Sequence, residues 1–213
     1  DDAGSLAHVF CLNLIKASQA HKKYIIYVSF DRSPKNLLEK LGPLANSRYL
    51  TILDCFTNGK GEGADVLLKF YKENASRKTY GIVQVENPSS PDQVMDAVYA
   101  LHQTMKDDVR LVFESLTGMQ ELWGSEDSIL KFYARSCPRL YELNTIAYWI
   151  VEKEAHTPTL KAHLNKITQV AIDLSLKRGK TSLAVIKAEK RDSALLNKPE
   201  NYWNKDQDVF FDP

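Results

Sequence analysis

The sequence predicts an α/β domain in which a mostly parallel β-sheet is flanked by helices. Five short apolar segments rich in β-branched and aromatic residues alternate with helix-like segments along residues 1–151. These short segments are hydrophobic almost throughout, which is typical of strands covered on both faces. Two further segments of this kind, near the carboxyl end, are separated by a glycine-containing turn, which predicts an antiparallel hairpin.

The predicted elements follow one another in a regular order. Ser5 and Ser90 suit the N-cap positions of two of the helices, and Pro34 suits the first turn of another. The segment 57–63 contains three glycines and predicts a flexible loop. The predicted strands are 23–30, 48–56, 79–85, 109–114 and 146–151, and the predicted helices are 6–20, 34–41, 64–73, 91–105 and 125–143.

The carboxyl-terminal part of the chain departs from this alternation. Residues 168–176 and 181–190 predict a β-hairpin with Gly179 in its turn, which we expect to extend the edge of the parallel sheet. Residues 193–213 are polar and contain four aromatic side chains, Tyr202, Trp203, Phe210 and Phe211. This tail either packs on the domain or binds a partner.

Composition narrows the class of protein. The chain has 213 residues, of which 44% are hydrophobic and 26% are charged, as in an average globular domain. The net charge of +1 offers no general electrostatic attraction for nucleic acid. No apolar run is long enough for a transmembrane helix, and the acidic start does not resemble a signal peptide. We therefore expect no membrane association.

The cysteines and histidines indicate neither a disulfide framework nor a metal site. Cys11, Cys55 and Cys137 are far apart and lie in apolar runs, which predicts free thiols in a reducing compartment and hence a cytoplasmic protein. No CxxC or HxxxH spacing occurs, so we predict no bound metal of the zinc type.

Motifs at the ends of the predicted strands carry a family resemblance. The segment "YIIYVSFDRSPKNLLEKLG" (24–42) is similar to a "YVSFEESPEQL…LG" pattern, and "VRLVFESLTGM" (109–119) is similar to a Walker B strand ending in an aspartate followed by "SLT". The segment "WIVEKEAH" (149–156) is similar to the strand that follows the Walker B strand in this pattern. The segment "LAVIKAEKR" (183–191) is similar to its closing strand, "hKhRG", in which h is an apolar residue. The chain thus resembles the KaiC-like branch of the RecA ATPase superfamily, which implies a three-layer RecA-like P-loop NTPase fold.

The resemblance implies a degenerate phosphate loop at the start of the chain. Where the family has "GxxGxGKT/S", Gly4 takes the place of the second-last glycine and Ser5 follows it. Leu6 then replaces the last glycine, Ala7 the phosphate-binding lysine, and His8 the hydroxyl residue that coordinates Mg²⁺. The family also has a strand ahead of this loop. The sequence contains none, so residues preceding Asp1 supply it or it is absent.

Other positions of the implied nucleotide site are altered as well. Glu114 stands for the Walker B aspartate, and Asp31 and Arg32 stand for a pair of carboxylates after the second strand. Asp31 and Glu114 are therefore the residual candidates for catalytic groups. In the closing strand Lys187 is retained, as a residue that would contact nucleotide, and Glu189 replaces a basic residue that acts in trans.

For two further sets of charged residues the sequence allows both a structural and a functional interpretation. Glu152 and His156 either line the cleft or belong to a charged loop. Lys177, Arg178 and Lys180 form either a solvated hairpin tip or a contact for phosphate.

Taken with these substitutions, the resemblance implies a KaiC-like pseudo-ATPase that acts as a regulatory or signalling scaffold, through a protein partner or through self-association as a dimer or ring. Loss of the lysine and the Mg²⁺ hydroxyl removes most of the charge stabilisation in phosphoryl transfer. One alternative is a weakly active ATPase that binds ATP and Mg²⁺. Another is a nucleic-acid-binding ring subunit, as in the Elongator accessory subunits. The expected domains are 1–191 and a carboxyl-terminal extension, 192–213.

Overall fold

The computed structural model describes residues 1–3, 5–61, 65–74, 81–105, 108–189, 196, 198–205 and 208–211. Gly4, the predicted domain boundary at 191/192, and the predicted ends of three elements at Ala64, Thr79 and Lys190 lie outside these residues. The chain forms two compact units. The parallel-sheet unit is Ile15–Trp149, and the antiparallel-sheet unit combines Asp1–Leu14 with Ile150–Pro213.

The parallel-sheet unit is built on five strands, in the order β3-β2-β1-β4-β5, and every neighbouring pair is parallel. Consecutive residues of the inner strands β1 and β4 are almost all buried. Because consecutive side chains point to opposite faces, both faces of these strands are covered, as their continuous hydrophobicity predicts. The strands are β1 (Tyr24–Ser29), β2 (Leu50–Asp54), β3 (Gly81–Gln84), β4 (Val109–Glu114) and β5 (Ile146–Trp149).

The helices begin where local sequence predicts them to begin. The Ser90 hydroxyl accepts a hydrogen bond from the amide of Gln93, and Pro34 lies in the first turn of its helix. A short helix stands where sequence predicts a glycine-rich loop. The helices are α1 (Ala7–Ala20), which continues from one unit into the other, α2 (Pro34–Leu41), α3 (Phe56–Gly59), α4 (Asp65–Asn74), α5 (Pro91–Thr104), α6 (Leu116–Trp123) and α7 (Glu126–Glu142), with a 3₁₀ helix at Gly42–Asn46.

The antiparallel-sheet unit corrects the expectation for the carboxyl-terminal hairpin. The hairpin forms with Arg178 and Gly179 in its turn, both at positive φ as a two-residue type I′ turn requires. It does not extend the parallel sheet but belongs to a separate sheet of order β6-β7-β8-β9. The elements of this unit are α8 (Pro158–Ile167), β6 (Val170–Lys177), β7 (Lys180–Ala188), β8 (Glu200–Lys205) and β9 (Asp208–Phe211).

The separate sheet forms because it has its own partners and its own core. The edge of β7 that faces away from β6 pairs with β8, so the 193–213 tail supplies two strands within the described residues. Leu174, Leu183, Val185 and Tyr202 form a buried cluster on one face, with Phe10 packed against it. A sheet that buries one apolar face in this way does not need the edge of another sheet.

The start of α1 differs from its prediction. The helix begins at Ala7, and the hydroxyl of Ser5 donates a hydrogen bond to the carboxylate of Asp1 instead of capping the helix. Leu6 has a φ of +64°, in the left-handed region that favours glycine.

The three cysteines are free thiols, as predicted; Cys11 and Cys55 are buried and Cys137 is half-buried. Among the described residues, no helix combines the length and the apolar character that a bilayer crossing requires.

Candidate functional site

Polar side chains meet at the carboxyl edge of the parallel sheet. Ser29 at the end of β1 lies beside Asp54 of β2 on one side and Glu114 of β4 on the other. All three residues are buried. Ligands of parallel α/β sheets bind at this edge, so these positions define the candidate site in this unit.

Each oxygen of the Glu114 carboxylate has a hydrogen-bond donor in its own unit. Its Oε2 accepts a hydrogen bond from the hydroxyl of Tyr27 at 2.6 Å, and its Oε1 accepts one from Nε of Arg32 at 3.0 Å. The Glu114 side chain is only 5% exposed, whereas that of Arg32 is 29% exposed. A buried carboxylate requires this kind of charged, hydrogen-bonded partner to remain stable.

Arg32 is the residue at which the resemblance implies a reversal of charge. The structure brings this cation against Glu114, 82 positions away in sequence, which the resemblance places in the Walker B position. A Mg²⁺ ion takes oxygen ligands, but here the Glu114 carboxylate already lies against the guanidinium of Arg32, a positive charge that repels a metal cation. Lys40 also lies near this pair, and burial, together with the Arg32 charge, lowers the pKa of Lys40.

Asp31, the second residual candidate, is directed toward α6. A Cβ built on Gly118 would lie 1.8 Å from Oδ1 of Asp31 and 2.8 Å from Cβ of Phe30. Glycine at position 118 is thus what allows the chain after β1 to approach the first turn of α6. Asp31 is half-buried. It follows the end of β1, so its carboxylate lies at the same edge of the parallel sheet as Glu114.

Asp54 is a site residue that sequence reasoning does not single out. Its Oδ1 accepts hydrogen bonds from the amides of Phe56 and Thr57, both at 3.0 Å, and its Oδ2 accepts one from the hydroxyl of Tyr71 at 2.6 Å. The carboxylate therefore starts helix α3. Burial and the Asp54 charge raise the pKa of Tyr71, and burial raises the pKa of Cys55.

A small open pocket lies beside these groups, between α3 and α6. It contains about 290 Å³ of empty space, open solvent included, and is therefore a shallow cleft and not an enclosed ligand cavity. Lys60 and Glu121 face each other there at 3.9 Å. The pocket is lined by Phe30, Cys55, Phe56, Gly59, Lys60, Gly118, Glu121 and Leu122.

In the antiparallel-sheet unit, the loop that precedes α1 is fastened by a lysine from another segment. The ammonium of Lys153 contacts Oδ1 of Asp2 at 2.9 Å and also binds the carboxylate of Asp173. It donates further hydrogen bonds to the carbonyl of Leu174 at 3.1 Å and the hydroxyl of Ser175 at 3.0 Å. The other oxygen of Asp2, Oδ2, accepts from the amide of Leu176.

These contacts have clear electrostatic consequences. The hydrogen bond from Lys153 holds the pKa of Asp2 below its usual value. Burial alone would lower the pKa of Lys153, but hydrogen bonds from this lysine to Asp173 and Asp2 raise it overall. The loop has alanine where the resemblance places a lysine, and Lys153 holds that loop to β6. Sequence reasoning did not find Lys153, because the contact depends on the pairing of distant segments.

The remaining residues of the predicted phosphate loop are accounted for individually. Ser5 is fully buried, and its carbonyl accepts a hydrogen bond from the hydroxyl of Tyr202. Ala7 is half-buried and His8 is exposed. Gly4 lies outside the described residues.

Other predicted site residues lie elsewhere in the antiparallel-sheet unit. The Lys187 ammonium donates to the carbonyls of Asn165, at 2.7 Å, Lys166 and Thr168, at the carboxyl end of α8. A cation is favourable at this end of a helix. Glu189 and Glu152 are exposed, and His156 is buried.

Comparisons with known proteins give a structural likeness and no match by sequence. No family model matches the chain. No curated protein matches it either.

Two solved structures from Pyrococcus horikoshii resemble the chain over its whole length. One is a KaiC-like protein of this hyperthermophilic archaeon, with a TM-score of 0.67, 13% identity, and coverage of 100% of this chain and 86% of that one. The other is an uncharacterised protein solved in complex with an unknown peptide, with the same TM-score and identity and coverage of 100% and 88%. At this level of identity the likeness concerns the fold. The chain therefore has the RecA-like fold of the KaiC-like proteins.

Proposed function

We propose that this protein is a KaiC-like pseudo-ATPase, an interaction scaffold in which internal ion pairs take over positions that nucleotide and metal hold in an ATPase of this fold. One observation carries the proposal. Both oxygens of Glu114, the residue in the Walker B position, are bound by Arg32 and Tyr27 of the same unit. A carboxylate engaged in this way would have to give up a buried ion pair before it could serve a metal.

The amino-terminal loop supports the same proposal independently. Leu6 and Ala7 replace the residues that would let the backbone approach phosphate and neutralise its charge. Asp2 brings a negative charge to this loop and is bound by Lys153. Because a triphosphate is itself strongly negative, a loop that carries a carboxylate and lacks its lysine is a poor phosphate site.

The scaffold would act on a protein partner or on a second copy of this chain. One of the similar structures was solved in complex with an unknown peptide, which fits a role in binding polypeptide. A regulatory or signalling role in the cytoplasm agrees with the free thiols and with the loss of catalytic groups.

The proposal is tested by calorimetric titration of the protein with ATP in the presence of Mg²⁺. We expect no heat of binding that corresponds to a dissociation constant below about 1 mM. Phosphate release should equal the background and should be the same in Glu114→Gln. Tighter binding, or release that disappears in Glu114→Gln, would instead identify the weakly active ATPase.

A second variant examines the ion pair directly. Arg32→Gln removes the charge from Arg32 and leaves the Glu114 carboxylate without its cation. We expect Mg²⁺ to stabilise Arg32→Gln against thermal unfolding while leaving the wild-type protein unaffected, because a ligand that binds only the folded state raises its stability. Equal responses of the two proteins to Mg²⁺ would contradict this account of the site.

Self-association is tested by light scattering after gel filtration. A scaffold that works as a dimer or ring should show a multiple of the 24.2 kDa chain mass at about 50 µM. A monomer at this concentration would contradict self-association, and the partner of the scaffold would then be a different protein.

A further inference from the structure

The antiparallel sheet carries a row of exposed side chains across the face opposite its buried core. Lys177 of β6 pairs with Lys180 of β7, and Trp203 of β8 pairs with Phe210 of β9. The register of Thr181 with Tyr202 places Lys180 beside Trp203. The four side chains therefore follow one another across all four strands, over about 14 Å. We call them the lysine–aromatic row.

The row points away from the core of its sheet. Tyr202, next to Trp203 in sequence, is 3% exposed and belongs to the buried cluster, so Trp203 faces the opposite side. Trp203 and Phe210 are 46% and 42% exposed. Their rings are stacked on each other, with centroids 4.7 Å apart and an interplanar angle of 21°. Each ring covers one face of the other, so a base can add to this stacked pair, which we call the platform, only at an outer ring face.

The charge beside the platform is positive. Lys177, Lys180 and Arg178 in the turn between them are all exposed, and Arg178 is held in a left-handed conformation by the type I′ turn. Among the described residues, the acidic side chains near this row are Asp208, in register with Lys205, and Asp173 and Asp2, which Lys153 binds. Three cations thus stand at one end of the row, and two aromatic rings at the other.

We propose that the lysine–aromatic row binds single-stranded nucleic acid. Bases stack on exposed aromatic rings, and Lys and Arg side chains contact the phosphates next to them. A folded acidic protein would match the cations too, but aromatic anchors of protein interfaces fill pockets of the partner, whereas this pair is already stacked and offers a ring face to an unpaired base. Duplex DNA would match the cations as well, but its bases are already stacked and do not reach the rings. The row therefore favours an unpaired strand, although the net charge of the chain is only +1.

The test is the fluorescence anisotropy of a labelled oligothymidylate of about 12 nucleotides, titrated with the full chain. We expect binding to weaken about 20-fold between about 50 and 200 mM salt, since three neutralised phosphates on a single strand give a slope near −2. Trp203→Leu/Phe210→Leu should weaken binding at least about tenfold at fixed salt, because each stacked base contributes strongly. Lys177→Gln/Lys180→Gln should weaken binding and reduce the slope by about 1.4.

Matched controls separate the row from general effects. Tyr141→Ala removes an exposed aromatic side chain from the other unit, and Lys35→Gln/Lys72→Gln removes two exposed lysines there. Both controls should bind as the wild type does. Lys177 and Lys180 are exposed strand residues on either side of the hairpin turn, so their substitution should not disturb the fold. The lysine variant therefore still tests the proposal if the aromatic variant fails to fold.

Three results would overturn the proposal: no binding of the oligonucleotide at low salt, equal loss of binding in the controls, or equal affinity for a duplex of the same length. The proposal does not depend on the pseudo-ATPase function, because calorimetry with ATP and anisotropy with the oligonucleotide can fail separately.

Discussion

Arg32 and Lys153 both bind carboxylates at positions that the resemblance assigns to a nucleotide site, but their surroundings differ. Arg32 pairs with Glu114, whose side chain is 5% exposed, whereas Lys153 pairs with Asp2 and Asp173, which are 27% and 31% exposed. Removing one partner of a buried pair leaves a charge without solvent, while a partly exposed carboxylate regains water. We therefore expect the burial of the carboxylate, and not the number of its contacts, to decide how strongly the stability of the fold depends on each cluster.

The largest expected effect is that of Arg32→Met. We expect it to lower the free energy of unfolding by about 3 kcal/mol, because Glu114 is left as a buried, unpaired carboxylate. The measurement is urea unfolding followed by tryptophan fluorescence. Arg135→Met is the matched control, since Arg135 pairs with Asp92 at 2.8 Å on the surface and its loss should cost less than about 1 kcal/mol. Equal losses of unfolding free energy in the two variants would contradict the expected difference between the buried pair and the surface pair.

Gly118→Ala tests the packing beside the buried cluster. The new Cβ would meet both the Asp31 carboxylate and the Cβ of Phe30, which cannot rotate away, so we expect a loss of about 2 kcal/mol. Gly59→Ala is the control, because its Cβ would meet the flexible end of Leu122, at 3.1 Å, and Cγ of Pro88 at an ordinary contact distance of 3.7 Å. Thermal unfolding of both variants measures the difference, and a Gly118→Ala protein as stable as Gly59→Ala would contradict the close approach.

Lys153→Met tests the partly exposed cluster. We expect a loss of about 1 kcal/mol, smaller than that of Arg32→Met, because Asp2 and Asp173 can be rehydrated. Urea unfolding at neutral pH gives the value. A loss larger than that of Arg32→Met would show that the amino-terminal loop, and not the carboxyl edge of the parallel sheet, contains the critical charge pair.

The same cluster predicts a dependence on pH. Since Lys153 lowers the pKa of Asp2 in the folded state, Asp2 contributes its full stability above pH 3.8, its ordinary pKa. This contribution is lost as the pH falls through the lowered pKa of Asp2 in the folded protein. The pKa of Lys153 is raised above 10.5, so its contribution is present below that value and is lost at more alkaline pH. The stability difference between wild type and Asp2→Asn should therefore shrink on acidification. A difference that is constant from about pH 6 to pH 3 would contradict the pairing.

The smallest expected effect concerns backbone conformation. Leu6 and Lys22 both have positive φ, at 64° and 56°, but Lys22 is exposed and Leu6 is half-buried. We expect Lys22→Gly to stabilise the protein by about 0.5 kcal/mol, because relief of the left-handed conformation is partly offset by the greater freedom of glycine in the unfolded chain. Leu6→Gly should stabilise it by less, because glycine at position 6 also gives up apolar contact. Melting temperatures of the two variants test the order. A larger gain at position 6 would mean that the leucine side chain contributes nothing to the loop.

Much of the fold follows from local sequence. The apolar segments that become β1 and β4 are hydrophobic at nearly every position, and they are buried on both faces as that pattern predicts. Ser90, Pro34 and Gly179 each act within a few residues of their own position, at two helix starts and one turn. Such features need no information about distant parts of the chain. The substitutions at Leu6, Ala7 and His8 stay predictions, because they rest on the resemblance of the sequence to the phosphate-loop pattern.

The site, in contrast, depends on strand order and on pairing between distant residues. The sequence indicates that Arg32 reverses a charge, but only the adjacency of β1 and β4 brings Arg32 to Glu114. Lys153 reaches Asp2 because the backbone of Asp1 hydrogen-bonds to Val151 and Lys153, while Asp2 hydrogen-bonds to β6. The hairpin joins β8 instead of the parallel sheet because β8 completes its edge. Periodicity, caps and turns were thus determined by the sequence through interactions within one element. Charge pairing and sheet membership were decided by the tertiary structure, since their energies depend on burial and on neighbours that no local pattern specifies.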